Sequence, residues 1–195
     1  KEGVPYYHLK YKGETVVEDS KLGLRLFDDK GIEFASAIDK NSSRPTDLLS
    51  GFEKIAEKTD SKNEVWQPIL GEKKEYVNHY NELAVTLDQP ANKRHIVLKF
   101  RLFNDGLGFR YEFPEQENLN YFRLREEDSE FDLPWDTKTW WITGDYDSQE
   151  YKYMTTKLSE IPARWANSFD SNASQTPVKN SVQSPVMLKK EGKNP

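Results

Sequence analysis

The feature that most constrains the fold is an alternation of apolar and polar residues within residues 81–113. Successive side chains of a β-strand point to opposite faces, so a two-residue period predicts strands with one buried face. The alternation occurs in two runs, separated by the turn signal Asn-Asp-Gly at 104–106. The apolar positions are Ile96, Leu98, Phe100 and Leu102, and then Leu107, Phe109, Tyr111 and Phe113. This pattern predicts an antiparallel hairpin.

Shorter segments of the same kind occur along most of the chain. They predict further strands at 6–11, 22–26, 83–87, 121–125 and 138–143, with another strand beginning at Met187. Residues 39–62 are polar and weakly patterned, so we expect loops there with at most one short strand. Helical periodicity is limited to residues 155–166, where Pro162 is expected to interrupt a short helix. The sequence therefore predicts an all-β protein, a single antiparallel β-sandwich domain over residues 1–195.

Composition excludes several classes of function. The net charge is −5 and no basic stripe is present, so a nucleic-acid partner is not expected. The chain has no cysteine, which removes disulfides, thiol nucleophiles and cysteine-based zinc sites. No apolar run approaches the ~20 residues that span a bilayer. Aromatic residues make up 13% of the chain, and they suit either a sandwich core or stacking on sugar rings.

Five segments in register resemble the N-terminal domain of glycoside hydrolase family 97, most closely the α-glucosidases of Bacteroides-type starch-utilisation systems. They are Trp-Gln-Pro at 66–68 with Gly-Glu-Lys-Lys-Glu at 71–75, Asn-His-Tyr-Asn-Glu-Leu at 78–83, Phe-Arg-Leu-Phe-Asn-Asp-Gly-Leu-Gly-Phe-Arg-Tyr-Glu-Phe at 100–113, Gly-Asp-Tyr-Asp-Ser-Gln-Glu-Tyr at 144–151, and Ser-Gln-Thr-Pro at 174–177. The resemblance covers residues 6–188 and implies a galactose-mutarotase-like β-supersandwich.

The resemblance also implies a larger enzyme. In the family, the sandwich precedes a (β/α)₈ barrel that carries the catalytic carboxylates, and a small β domain follows. The present sequence resembles a truncated sandwich, which begins after the family's first strand and stops inside the domain. We therefore expect no catalytic residue in this chain and no activity from it alone. The family resemblance further implies a periplasmic location.

Glu150 is the candidate metal ligand. The resemblance implies that a Glu at this place reaches the barrel's active site and binds a calcium ion shared with barrel glutamates. Calcium takes six to eight oxygen ligands, so a carboxylate from a second domain would tie the domains together. The alternative is a solvated surface Glu. Asp145 and Asp147 lie nearby, but their spacing does not match an EF-hand, and we expect them to shape the loop.

A second candidate site is the polar segment Ser171, Asn172 and Ala173. The resemblance implies that this loop approaches the sugar pocket, where an Asn side chain offers both a donor and an acceptor to sugar hydroxyls. An ordinary polar loop is the alternative. His79 and Glu82 suggest a general base, although a structural or interface role is favoured. Of Trp140 and Trp141, which fall on opposite faces of a strand, one is expected in the core.

Two functions follow from these observations. The first is the N-terminal domain of a calcium-dependent α-glycosidase whose partners are its own barrel and α-glucan oligosaccharides. Within it, an inverting α-glucosidase is favoured over a retaining α-galactosidase. The second is a non-catalytic carbohydrate-binding β-sandwich.

The isolated chain should bind calcium only weakly, because the sequence offers one firm ligand where calcium requires several. Isothermal titration calorimetry of the 195-residue chain should therefore give no saturable calcium isotherm. Tight binding of one calcium ion per chain would contradict this expectation.

Overall fold

The computed structural model describes residues 2–26, 47–120, 122–146, 148–169 and 177–190. It divides into two compact units, unit 1 (residues 1–8 and 19–131) and unit 2 (residues 9–18 and 132–195). That residues 1–195 form one domain stays a prediction.

The strands are β1 Tyr6–Tyr11, β2 Glu14–Lys21, β3 Leu24–Leu26, β4 Glu53–Trp66, β5 Tyr76–Gln89, β6 Arg94–Leu102, β7 Leu107–Glu112, β8 Leu124–Glu127, β9 Lys138–Trp141, β10 Met154–Lys157 and β11 Met187–Lys189. The single α-helix among the described residues is α1, Ile161–Arg164, and short 3-10 turns lie at Pro90–Asn92, Glu117–Leu119, Leu158–Glu160 and Trp165–Asn167.

The largest sheet lies in unit 1 and consists of β4, β5, β6 and β7 in that order, each antiparallel to its neighbours. The predicted hairpin is its β6–β7 pair, in which Phe100 lies opposite Phe109. The amide of Phe103 donates to the Gly106 carbonyl at 2.8 Å and closes the turn. The hairpin and the all-antiparallel strand pairing predicted from the alternation are thus confirmed.

One face of this sheet carries the unit 1 core. Ile96 and Leu98 are almost completely buried on it. The Tyr7 ring packs against Phe109 at 6.0 Å and against Phe131 at 6.2 Å between centroids. The period-two pattern therefore places its apolar set against other apolar side chains, as a half-buried sheet requires.

The opposite face of the sheet carries a cross-strand charge ladder. Glu82 accepts a hydrogen bond from Arg101 Nε at 2.7 Å, and Lys99 Nζ lies 3.0 Å from a Glu112 carboxylate oxygen. Arg110, on the same strand as Glu112, pairs with the same carboxylate. The hydrogen bond from Lys99, helped by Arg110, lowers the pKa of Glu112. Opposite charges on neighbouring strands stabilise their pairing modestly.

Strand β4 corrects the expectation of loops over residues 39–62 in the part that the structure describes, since residues 39–46 lie outside the described residues. It runs from Glu53 to Trp66 and pairs with β5 from Glu53 opposite Asp88 to Trp66 opposite Tyr76. Nearly every β4 side chain is exposed, so neither face shows the apolar alternation that sequence reasoning requires. Its main-chain bonds to β5 form the strand nonetheless, and a charged strand with one described neighbour resists unwanted pairing.

The acidic run Glu126, Glu127, Asp128 and Glu130 has the composition of a solvated turn, and most of its side chains are exposed, but its first two residues belong to strand β8. Strand β8 includes Glu126 and pairs with β3. Arg25 of β3 places its Nε atom 3.3 Å from Glu126 and 2.7 Å from Asp128. The Tyr111 hydroxyl lies 2.8 Å from Ser129 Oγ, and burial raises the Tyr111 pKa. Glu126 and Asp128 therefore pair with Arg25 at a partly exposed surface, where such ion pairs contribute modestly to stability.

Unit 2 contains the three-stranded sheet β10-β9-β11, which is antiparallel throughout. Trp141, Ile161 and Trp165 form its buried core cluster. The predicted helix is only α1, and Pro162 lies in its first turn, where a missing amide costs nothing, so it starts the helix instead of interrupting it. Over the residues described, no helix has the length and apolar character to cross a membrane.

Replacing Ile96 by Ala should destabilise the chain by about 2 to 5 kcal/mol, because the side chain is 1% exposed and its loss leaves a cavity. The matched control is Ile55→Ala on β4, where the side chain is 59% exposed and the expected change is within about 0.5 kcal/mol. Urea unfolding followed by tryptophan fluorescence measures both. Equal losses for the two variants would show that this face is not a core.

Candidate functional site

The loop that carries Glu150 begins at the end of β9 and lies in unit 2. Just before it, Thr143 forms a β-bridge with Val182. The Gly144 amide donates to the Ser181 carbonyl at 3.0 Å, and the Ser181 hydroxyl donates back to the Gly144 carbonyl at 2.9 Å. Two hydrogen bonds, one in each direction between Gly144 and Ser181, therefore fix the start of the loop.

Gln183 holds the middle of the loop. Its side-chain Nε2 donates to the Asp145 carbonyl at 2.8 Å and to the Ser148 carbonyl at 3.2 Å. Its own amide donates to the Ile142 carbonyl at 3.0 Å. One side chain thus satisfies two loop carbonyls, which fixes the loop's backbone.

The segment at 181–183, which anchors the loop, is itself hydrogen-bonded to the core of unit 2. The Ser181 carbonyl accepts a second hydrogen bond, from Trp165 Nε1 at 3.0 Å. The Trp165 ring packs 4.9 Å from Phe169 and is buried. In the same core cluster, Trp141 donates from Nε1 to Thr156 Oγ1 at 3.0 Å. Sequence reasoning missed Ser181, Gln183 and Trp165 as supports, since nothing in the sequence links them to the loop at 144–151.

Asp145 is engaged inside the loop. The Tyr151 hydroxyl donates a hydrogen bond to its carboxylate, and the Tyr151 ring makes an edge contact with Phe169 at 6.4 Å. The contact fits the interpretation of Asp145 as a residue that shapes the loop. Asp147 lies outside the described residues.

Glu150 differs from Asp145 because its side chain is exposed. Its amide donates to Ser148 Oγ at 3.2 Å. Within the described part of the chain, its carboxylate makes no hydrogen bond or ion pair. Among those same residues, no three His, Asp or Glu side chains cluster as a metal site. An exposed carboxylate on an anchored loop fits a calcium ion as one ligand among several.

The second predicted site, Ser171, Asn172 and Ala173, lies outside the described residues, so its role stays a prediction. Pro177, the first residue described after that segment, is buried. The nearby Ser168 hydroxyl donates to the Trp165 carbonyl at 2.6 Å and also hydrogen-bonds Thr143.

The structure does not assemble a His–Glu pair on β5. His79 and Glu82 are three residues apart on one strand, so their side chains point to opposite faces. Glu82 is held by Arg101 and Lys99, which agrees with the favoured structural role. Of the two adjacent tryptophans, Trp141 is the core residue, at 1% exposure. Trp140 is half-buried, with Lys138 Nζ 5.0 Å from its ring centroid.

Comparison with known proteins places these features in a family. The family model described as "Glycosyl-hydrolase 97 N-terminal" matches residues 1–194. A glycoside hydrolase family 97 enzyme of Pseudoalteromonas sp. strain K8 is similar in structure. Its complex with acarbose has a TM-score of 0.67 at 28% identity and covers 82% of this chain and 22% of its own. A variant in complex with panose gives a TM-score of 0.66 at 28% identity, over 81% of this chain and 22% of its own.

A β-arabinopyranosidase shares the fold alone, with a TM-score of 0.62 at 22% identity over 78% of this chain and 23% of its own. The neighbours confirm the predicted class of antiparallel β-sandwich. The chain therefore has the all-β, sandwich-like fold of a glycoside hydrolase N-terminal region. More narrowly, it belongs to glycoside hydrolase family 97, whose N-terminal domain it matches. The chain spans about a fifth of the length of these solved relatives.

Replacing Gly144 by Ala should disrupt the loop, because a Cβ atom there would lie 2.5 Å from Ser181 Oγ and 2.7 Å from Ser181 Cβ. We expect a loss of about 1 to 3 kcal/mol in the free energy of unfolding. Gly106→Ala is the control, since an added Cβ meets nothing within 4 Å. Adding Ser181→Gly to Gly144→Ala should recover part of the loss. If Gly144→Ala has the same free energy of unfolding as the unmodified chain, the close contact between Gly144 and Ser181 is contradicted.

Proposed function

We propose that this chain is the N-terminal domain of a calcium-dependent α-glycosidase, an inverting α-glucosidase that acts on starch-derived α-glucosides. The observation that carries the proposal is the family match along residues 1–194, together with an exposed carboxylate, Glu150, on a loop fixed by hydrogen bonds. A periplasmic location and a starch-utilisation setting belong to the same proposal, and both come from the sequence resemblance.

The choice of substrate is supported by a similar enzyme. The Pseudoalteromonas family 97 enzyme is known in complexes with panose and with acarbose. Panose is a glucose trisaccharide, so those complexes favour an α-glucoside substrate for the longer protein that includes this chain. The finer likeness to Bacteroides-type α-glucosidases rests on the five sequence segments alone.

The chain's own part is to place one carboxylate. Gly144 and Gln183 hold the loop at fixed points, and Asp145 is turned inward by Tyr151. Glu150, on the same loop, is exposed. Bound calcium would add positive charge beside the reacting sugar, and the barrel would supply the remaining oxygen ligands and the catalytic carboxylates.

Glu150→Gln in the full-length enzyme removes a negative ligand and keeps the side chain's size. We expect calcium affinity, measured by calorimetry on chelator-treated enzyme, to fall by about tenfold or more. Hydrolysis of 4-nitrophenyl α-glucoside should fall with it and recover in part at raised calcium. The matched control is Glu72→Gln, an exposed glutamate of unit 1, which should leave both measurements unchanged.

Unchanged calcium binding in the Glu150→Gln enzyme would remove Glu150 from the metal site. Hydrolysis of an α-galactoside in preference to the α-glucoside would instead point to the retaining α-galactosidase alternative.

A further inference from the structure

The free end of the β4–β5 hairpin carries an aromatic pair that the core of unit 1 does not use. Trp66 and Tyr76 lie opposite each other in the register of these strands. Their rings stack with centroids 5.0 Å apart and planes inclined by 18°. Trp66 remains 50% exposed. Lys73 Nζ lies 5.8 Å from the Tyr76 centroid, so Tyr76 is flanked by Trp66 and Lys73 while Trp66 keeps an open surface.

A row of hydrogen-bonding groups lies one step along the same face. Glu64 pairs with Asn78 across the two strands, and Asn78 Nδ2 donates to Glu64 Oε1 at 2.7 Å. Lys62 Nζ lies 2.9 Å from the other oxygen of the same carboxylate. The hydrogen bonds from Lys62 and Asn78 lower the pKa of Glu64, so Glu64 is an ionised acceptor at neutral pH. A two-residue step along a strand is about 6.6 Å, which is comparable to the width of a sugar ring.

Trp66, Tyr76, Glu64 and Asn78 form a strip on this face. It is followed along the strands by a third row, which contains Tyr80. Tyr80 is buried, and the Arg101 guanidinium lies 4.3 Å from its ring centroid. Arg101 is held in turn by Glu82 at 2.7 Å. The polar row is thus built between two ordered aromatic rows, and little conformational entropy remains to be lost when a ligand binds.

We propose that this strip binds an α-gluco-oligosaccharide, with one sugar ring against the exposed surface of Trp66 and its hydroxyls bonded to Glu64 and Asn78. A pyranose has apolar C–H faces and a rim of hydroxyls, which matches an aromatic ring beside a fixed acceptor and donor. The choice of glucose rests on the proposed function, whereas the site itself rests on the geometry.

Exposed Ile69 and Leu70 lie in the loop between the two strands, and a purely apolar tip would favour a protein contact. The fixed Glu64–Asn78 pair beside the ring favours a sugar instead, because docking an apolar surface there would bury a charged carboxylate without a new partner.

The test uses the 195-residue chain labelled with 5-fluorotryptophan, and Trp66→Phe assigns the Trp66 signal. In ¹⁹F NMR, maltotetraose should shift the Trp66 resonance saturably and leave Trp141, in the unit 2 core, unshifted. By calorimetry, Trp66→Ala should weaken maltotetraose binding by about tenfold or more. Glu64→Gln, which keeps the ring, should weaken it by several-fold. The control is Trp135→Ala, a ring of unit 2 that packs against Lys190, and it should leave binding unchanged.

Three results would overturn the inference. The first is a Trp66 signal that maltotetraose leaves unmoved. The second is binding that survives both Trp66→Ala and Glu64→Gln. The third is self-association of the chain that Trp66→Ala abolishes without any sugar response, which would identify the tip as a protein contact. A shift with galacto-oligosaccharides alone would overturn the assignment to glucose. Hydrolysis by the full-length enzyme tests the proposed function separately, so the two can fail independently.

Discussion

Hydrogen bonding between antiparallel backbones is the interaction on which both units depend. In unit 1 it joins β4, β5, β6 and β7, in that order, into one sheet, although β4 buries almost none of its side chains. In unit 2 it joins three short strands around a small tryptophan core. The pairing also fixes which side chains face each other, and so it creates the charge ladder at Glu82 and the aromatic pair at Trp66.

The same physics separates what could be predicted from what could not. The β6–β7 hairpin was predictable because each strand has one buried face, which gives Ile96, Leu98 and Phe109 a two-residue period. Strand β4 was not, because its stability comes from main-chain bonds that leave no trace in side-chain polarity. The supports of the Glu150 loop were equally hidden. Gln183 meets the carbonyls of Asp145 and Ser148 at separations of 38 and 35 residues, and such contacts follow from topology, not from local pattern.

The candidate metal ligand could be named from the family resemblance, while its setting required the structure. Asp145 and Glu150 are both acids of one loop, yet Tyr151 binds the first and the second stays exposed. A loop pinned by Gly144 and Gln183 presents its carboxylate without first having to order itself, which favours a site shared with another domain. Under the proposed function, Asp145 would shape the loop and Glu150 would supply a ligand to a site shared with another domain.

The most direct test of the central claim is a crystal structure of the full-length enzyme grown with calcium, with the ion located by its anomalous signal. If Glu150 binds calcium, a peak should lie about 2.3 to 2.6 Å from a Glu150 carboxylate oxygen, with the other ligands coming from the catalytic barrel. A fully coordinated calcium ion elsewhere, with Glu150 facing solvent, would contradict it.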